Sequence, residues 1–496
     1  MGRPIAPIDF AHAPTEPRGH VASRRVELTA DDLAALAATG VTIETSAAEL
    51  MEASRDWWPL AMQWAAEQEV FTCASVVVRP ADAAQVAAVL NVANERALPV
   101  TAAGGRSGVC GASVPAHGGI VLDTTAMQGI VAIDDASLTL EVLPGTFGDE
   151  LEAELAIRGY TLGHWPQSIS LSTVGGWLAC RSAGQYSTRY GKIEDMVVAL
   201  EVVLADGSIV HTGGMPRAAV GPDLTQLFVG SEGTLGVITR AWLRLHPAPP
   251  AERRAAYSFA SFEAGVDACR RILRRGATPA VLRLYDEPES KRSQGTDSGA
   301  NLLVLDEGDP AIVDAVMGIV AQECAAAAPL DVELVERWMH HRNDVSALAA
   351  LTGKGFVVDT MEVSAPWSAV NAVFDAARAA LMAVPTTRSA TCHLSHSYGD
   401  GACLYFTFAA TPESDRREAT YVALWDAGSR AILAAGGNLS HHHGVGLNRN
   451  RFVAEALGRS LGVLDTVKRA LDPNGILNPG KLGLASSFAD APAWPR

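Results

Sequence analysis

Hydrophobic positions set the first outline of this chain. Between Thr29 and Gln68 apolar residues recur at helical spacing, in ADDLAALAATG and again in WWPLAMQWAAEQ, where Pro59 suits the first turn of a helix. From Ser75 onward short apolar runs alternate with amphipathic stretches. SVVVRP reads as a strand, ADAAQVAAVLNVANERA as a helix, and LPVTAAGG as a strand running into a loop. GIVLDTT, LTLEVLPG and the helical FGDELEAELAIRG continue the pattern, and MVVALEVVLADGSIVHTGG reads as two strands joined at Asp206-Gly207. PAPPAERR marks a linker after Pro247. Beyond it SFEAGVDACRRILRRG and PAIVDAVMGIVAQECAAAA predict surface helices, LLVLDEG and ACLYFTFAAT strands of another sheet, and LDTVKRALDPNGILNPGK a helix ending in a turn. Residues 1 to about 24 lack periodicity and predict a loose arm.

Two glycine-rich segments interrupt this alternation, TAAGGRSGVCGAS (Thr101 to Ser113) and STVGGWLACRSAGQYSTRYG (Ser172 to Gly191). The string GSEGTLGVIT (Gly230 to Thr239) follows. Glycine permits positive φ and close approach of a ligand, and successive N–H groups in such a loop form an anion trap. Two such loops about 70 residues apart predict a long diphosphate cofactor held from both ends, which points to a flavin. A dinucleotide fold of the G-x-G-x-x-G type would instead open a helix after the first strand. The spacing here, GGxxGxxG, does not fit it.

Bulk properties narrow the classes. At 496 residues two or three domains are expected. A formal net charge of −16 disfavours nucleic acid and anionic membrane surfaces as partners, while a local arginine can still bind an anionic substrate. Seven scattered cysteines without a CxxC pair fit a reducing compartment, and a cytoplasmic protein is the expectation.

The strings LSTVGGW, YGKIEDMVV, GPDLTQLFVGSEGTLGVIT, EVSAPW, GACLYF and GGNLSHHHGVG resemble flavoproteins of the vanillyl-alcohol oxidase and p-cresol methylhydroxylase type, over roughly Ala74 to Leu482. Within that superfamily the triple histidine and its context are most similar to the alkyldihydroxyacetonephosphate synthase branch. The resemblance implies an α+β fold in which a two-subdomain FAD-binding domain is followed by an α/β cap domain with an antiparallel sheet. The implied division is 1–69 for the N-terminal arm and helices, 70–248 for the FAD-binding domain, 249–438 for the cap, and 439–496 returning to the FAD domain. It further implies that Gly104, Gly105, Arg106, Ser107 and Gly108 wrap the FAD diphosphate. Ser172, Thr173, Gly175, Gly176 and Gly184 would line the second face, with Glu232, Gly233, Thr234 and Val237 near adenosine and ribose. Relatives that attach flavin covalently do so through a loop histidine or cysteine. Thr101 to Ser113 holds no histidine, and Cys110 lies in no recognised linkage motif, so non-covalent FAD is expected.

The histidines bear on the chemistry. Related D-2-hydroxyacid dehydrogenases resemble a pattern in which GHxGDGNxH and GEHG hold a divalent metal. Here the equivalent string is SHSYGDGACLYF, with one residue inserted before Gly399, the second histidine falling at Leu404 or Tyr405, and His442 in place of the glutamate. This leaves a poor site for a hard divalent ion, and no metal is expected. In an extended segment His441 and His443 would face one way and His442 the other. By resemblance Tyr405, His441, His442 and His443 supply proton donors and acceptors above the flavin. Arg342 and Arg449 are expected to bind an anionic headgroup, and the resemblance implies that Arg217 supports the flavin site.

The reaction implied is that of an alkylglycerone-phosphate synthase: exchange of the acyl group of acyl-dihydroxyacetone phosphate for a fatty alcohol through an adduct at flavin N5. The competing expectations are an FAD-dependent dehydrogenase or oxidase of a D-2-hydroxy acid or other alcohol, and a flavin-binding scaffold or sensor. Either enzyme would take a small-molecule or lipid-like anionic substrate, with at most peripheral membrane contact, and a homodimer is expected.

Overall fold

The computed structural model describes residues 25–296, 299–345, 351–352 and 354–488. The predicted arm over residues 1–24 lies outside the described residues. Three sheets carry the architecture. The first is a four-stranded mixed sheet in which Val76–Arg79 and Val100–Ala103 flank Ile120–Asp123 in parallel, with Thr42–Glu44 antiparallel at the edge. That edge strand interrupts what reads as continuous helix from Thr29 to Gln68, because Gly40, at φ +77°, ends the helix Ala30–Ala38. The second sheet is five-stranded and antiparallel, built around Val237–Arg244 and Val197–Val203.

The third sheet has seven strands, all antiparallel. At its centre Val281–Tyr285, Thr387–Ser397 and Gly401–Ala410 lie side by side, and Val357–Pro366 forms one edge. Its strand Ala251–Phe259 takes up AERR of the supposed linker, so only residues 248–250 connect the two halves. Helices Phe262–Arg274, Pro310–Glu323, Val370–Ala383 and Arg417–Ala434 cover the sheet, burying Phe406, Phe408 and Trp425 completely.

Two junctions knit the halves together. The helix Pro59–Ala66 sets Trp58 and Trp64 into the core beneath the third sheet, and Trp58 Nε1 donates to Tyr421 Oη at 2.8 Å. The chain after helix Ser460–Leu471 returns to the first sheet, where Val100 N donates to Ile476 O and Asn478 N to Val100 O. Among the described residues no helix is long and apolar enough to cross a membrane.

Candidate active site

A cavity of about 1160 Å³ lies between the glycine segments and the third sheet. It exceeds the roughly 300–1,000 Å³ of most single-ligand sites, leaving room for a cofactor and a substrate together. One wall is main chain. Gly104 to Gly108 follow the strand Val100–Ala103 and turn through Arg106 at φ +51°. Among the described residues none of these five N–H groups finds an acceptor in the chain, the arrangement that makes a loop bind phosphate. The glycines are dictated by the second segment behind them. A Cβ on Gly105 would stand 1.9 Å from Leu171 O, and one on Gly104 2.3 Å from Thr173 Oγ1.

The second segment spends its side chains on itself. Thr173 caps the helix Val174–Cys180, while the Ser172 hydroxyl takes the Trp177 indole N–H at 2.7 Å and donates to Ser168 O. Ser172, Thr173, Gly175 and Gly176 still line the cavity, as do Glu232, Gly233 and Val237. Gly184 and Thr234 are not on the wall. Gly184 packs against Trp165, and the Thr234 hydroxyl closes a turn onto Ser231 O. The Glu232 carboxylate turns toward the C-terminal loop, accepting from Val445 N and Gly446 N. An unpartnered N–H cradle that any Cβ would fill fits a diphosphate-bearing flavin. Cys110 is buried off the wall.

The opposite wall is side chains, and its organiser is Glu362 on the edge strand Val357–Pro366. This fully buried carboxylate accepts from the main-chain N–H of His441, His442 and His443 at 3.2, 3.0 and 2.8 Å, from the Ser440 hydroxyl, and from both Nη atoms of Arg449. Burial alone would push the carboxyl above its usual value. The Arg449 guanidinium and then His443 outweigh that and hold the carboxyl well below its usual value.

Wrapped on one acceptor, the histidine segment is not extended, which corrects the expected alternation. His441 and His442 meet at Nδ1 to Nδ1, 2.9 Å apart, while His443 Nδ1 lies 3.0 Å from Glu362 Oε2. His442 and His443 line the cavity and His441 stands behind them. Burial holds His441 and His442 well below the ordinary imidazole value, so both are neutral. Tyr405 lines the same wall, stacks on His393 at 4.8 Å and donates to Thr360 Oγ1 at 3.1 Å; burial pushes its phenol up.

Arg342 caps the helix Glu333–His341 and lies in an aromatic box, its Cζ 4.8 Å from the Tyr186 ring, 5.2 Å from Trp165 and 5.8 Å from Trp338. Its Nη1 is buried without a partner and the residue lines the cavity. Gln185 fixes the segment by donating to Arg342 O and Asn343 Oδ1. Arg449 does not share this place. Fully buried, paired with Glu362 and 5.1 Å over Trp425, it supports the histidine loop rather than meeting a headgroup. Arg217 sits exposed in a surface turn away from the cavity.

Sequence reasoning passed over three residues. Glu362, within the quoted EVSAPW, showed no signal beyond being a carboxylate in an apolar strand. Arg283 lines the cavity and reaches His393 Nε2 at 2.6 Å. His396, within the quoted SHSYGDGACLYF, also faces the cavity, with Ser187 Oγ 2.6 Å from its Nδ1.

A main-chain cradle of open N–H groups faces a wall of histidine, tyrosine and arginine under an antiparallel cap, and the fold is that of the p-cresol methylhydroxylase type. Residues 74–213 match the FAD binding domain family and residues 248–482 the C-terminal domain of FAD linked oxidases. The chain is 32% identical over 432 residues to the FAD-linked oxidoreductase YgcU of Escherichia coli K12, covering 82% of this chain and 88% of that protein. It is 28% identical over 456 residues to alkyldihydroxyacetonephosphate synthase of Dictyostelium discoideum (84% and 74% covered). With glycolate oxidase subunit GlcD of Bacillus subtilis it shares 29% over 423 residues (82% and 88%). In fold it is similar to a solved alkyldihydroxyacetonephosphate synthase, TM-score 0.76 at 23% identity over 96% of this chain and 90% of that one. p-Cresol methylhydroxylase gives 0.75 at 19% over 94% and 99%. The chain belongs to the FAD-linked oxidoreductase family, and FAD is its cofactor.

Proposed function

We propose that this enzyme works on an anionic, lipid-like carbonyl compound, exchanging the acyl group of an acylated dihydroxyacetone phosphate for a fatty alcohol. The observation that carries this reading is that one cavity is lined by neutral His442 beside Tyr405 and by Arg342, whose buried Nη1 has no partner. A guanidinium so placed gains charge-assisted hydrogen bonds from a phosphate and loses none. Trp57, Pro59, Met62 and Ala66 give one part of the cavity apolar surface that a chain-bearing substrate could cover, beside the polar Gln63, Glu67 and Arg417.

When bound, FAD supplies an electrophilic ring that can hold electron density released from the substrate carbon. The protein does the rest. Arg342 grips the phosphate, His442 takes the proton next to the carbonyl, and Tyr405 hydrogen-bonds the departing acyl oxygen. The apolar side chains of the helix Pro59–Ala66 that line the cavity receive the alcohol's chain.

A second reading, oxidation of a D-2-hydroxy acid, is favoured by the oxidase-type cap match and by His396 facing the cavity. The two are separated by visible spectra of the oxygen-free enzyme. Bleaching by palmitoyl-dihydroxyacetone phosphate and recovery on adding hexadecanol alone supports the exchange. Bleaching by D-lactate or another D-2-hydroxy acid, with recovery only on adding an oxidant, replaces it with the dehydrogenase.

A further inference from the structure

Behind the cavity wall, five side chains close a hydrogen-bonded path whose two ends both face the cavity. His442 Nδ1 meets His441 Nδ1 at 2.9 Å, and His441 Nε2 meets Tyr398 Oη at 2.9 Å. Tyr398 Oη lies 3.3 Å from Ser187 Oγ, which lies 2.6 Å from His396 Nδ1. His442 and His396 line the cavity, whereas His441, Tyr398 and Ser187 do not. Each inner group both gives and accepts a hydrogen bond, as a proton path requires. His442 and His396 each keep Nε2 as the ring nitrogen not engaged in the path.

We propose that this path is a neutral proton relay that makes His442 a base and His396 an acid at the same moment. With His442 carrying its hydrogen on Nδ1, every bond points one way: His442 to His441, His441 to Tyr398, Tyr398 to Ser187, Ser187 to His396, whose hydrogen then sits on Nε2. A proton arriving at His442 Nε2 shifts each hydrogen one place along and releases one from His396 Nε2. No ring has to keep a charge. That matters here, because burial holds all three imidazoles far below their ordinary value and the Lys192 ammonium, bonded to His441 O at 2.6 Å, further opposes a cation. Beyond the mutual effect of the three rings, His443 and Glu362 act on His441 and His442, and Arg283 and His393 act on His396.

The assignment rests on the acyl-exchange reading for its use, and there the protons balance. In the first half the substrate C–H proton enters at His442 and the His396 proton leaves with the departing carboxylate, as the free acid. In the second half the alcohol O–H proton enters at His396, the shift runs backward, and His442 returns a proton to the carbon. The relay ends as it began. His396 is then a catalytic residue, and Tyr398 and Ser187 are positioning residues that act through it.

Histidine-selective ¹⁵N spectra of the holoenzyme test the path without any substrate. His442 and His396 are expected in opposite tautomers, one with hydrogen on Nδ1 and the other on Nε2, and Tyr398→Phe is expected to abolish that order while the flavin spectrum stays unchanged. The same tautomer on both rings would overturn the relay. One equivalent of metal in the purified holoenzyme that is lost in His396→Ala would overturn it too, since the metal would occupy the ring nitrogens. In the exchange assay with palmitoyl-dihydroxyacetone phosphate and hexadecanol, Tyr398→Phe and Ser187→Ala should each lower kcat on the order of 100-fold with KM little changed. The solvent-isotope proton inventory should go from curved to linear. Wild-type kcat in Tyr398→Phe would overturn the proposal. If the wild type turns over no such substrate, it is the exchange reading that fails, and the spectra alone decide the relay.

Discussion

The two walls of the cavity are made by opposite means. On the side of the glycine loops the groups left open are main-chain N–H donors, and the side chains nearby, Ser172 and Thr173 among them, are consumed in holding the loops together. On the cap side the working groups are side chains, and the main chain is what gets consumed, three consecutive N–H groups ending on Glu362. A wall of main chain is broken by adding atoms. A wall of side chains is broken by removing them.

The largest effect is therefore expected from Gly105→Val. Its Cβ would lie 1.9 Å from the Leu171 carbonyl, so the two loops must part. The purified variant should lack flavin absorbance altogether; full FAD occupancy would show that the cradle is elsewhere. On the other wall Tyr405→Phe removes one oxygen and should leave the yellow protein intact while turnover falls by about 100-fold or more. Equal activity in the two proteins would remove the phenol from the chemistry. Arg342→Ala should act more mildly, raising KM for a phosphorylated substrate roughly 10-fold to 100-fold, with kcat nearly preserved. A change confined to kcat would mean that the arginine serves the reacting atoms and not the headgroup.

The smallest effect concerns Asp56, which packs beneath the first loop. One oxygen accepts from Trp58 N at 3.1 Å and the other is buried without a hydrogen bond. Burial pushes its carboxyl up to about 7. A raised folded-state value stabilises the protein fully below the ordinary carboxyl range, and that contribution is lost as pH climbs toward 7. In urea unfolding, Asp56→Asn should thus gain on the wild type between pH 4 and pH 8. A constant difference across that window would mean the carboxyl is not buried as drawn.

The same contrast decides what could be read from the sequence. The cradle was legible because its logic is local: a strand, a run of glycines, and a second run to pack against it. The alternating strands and helices were equally plain, except for Thr42–Glu44, too short to show a period of its own. The cap wall was legible only in part. Tyr405 and the triple histidine stood out by residue type, yet the path of the histidines depends on Glu362, some 80 residues upstream. Arg449 and Arg342 look alike as charges in a string. Only burial tells them apart, the first locked in an ion pair and the second left with an unpartnered nitrogen. Ser187 and Tyr398 had no signal at all, since a hydroxyl is informative only through what it touches.

Glu362 also has a consequence for the design of such enzymes. It grips residues 441 to 443 by their amides, which every amino acid except proline possesses. The path of that segment is thus indifferent to most of what it displays. It works as a socket, and exchanging the imidazoles at 441 and 442 for amides would change the reagents offered to the flavin without rebuilding the holder, while His443, whose Nδ1 lies 3.0 Å from Glu362 Oε2, belongs to the holder itself. A scaffold with this property can migrate from one reaction to another by a few substitutions, each tolerated by the frame before it becomes useful to the chemistry.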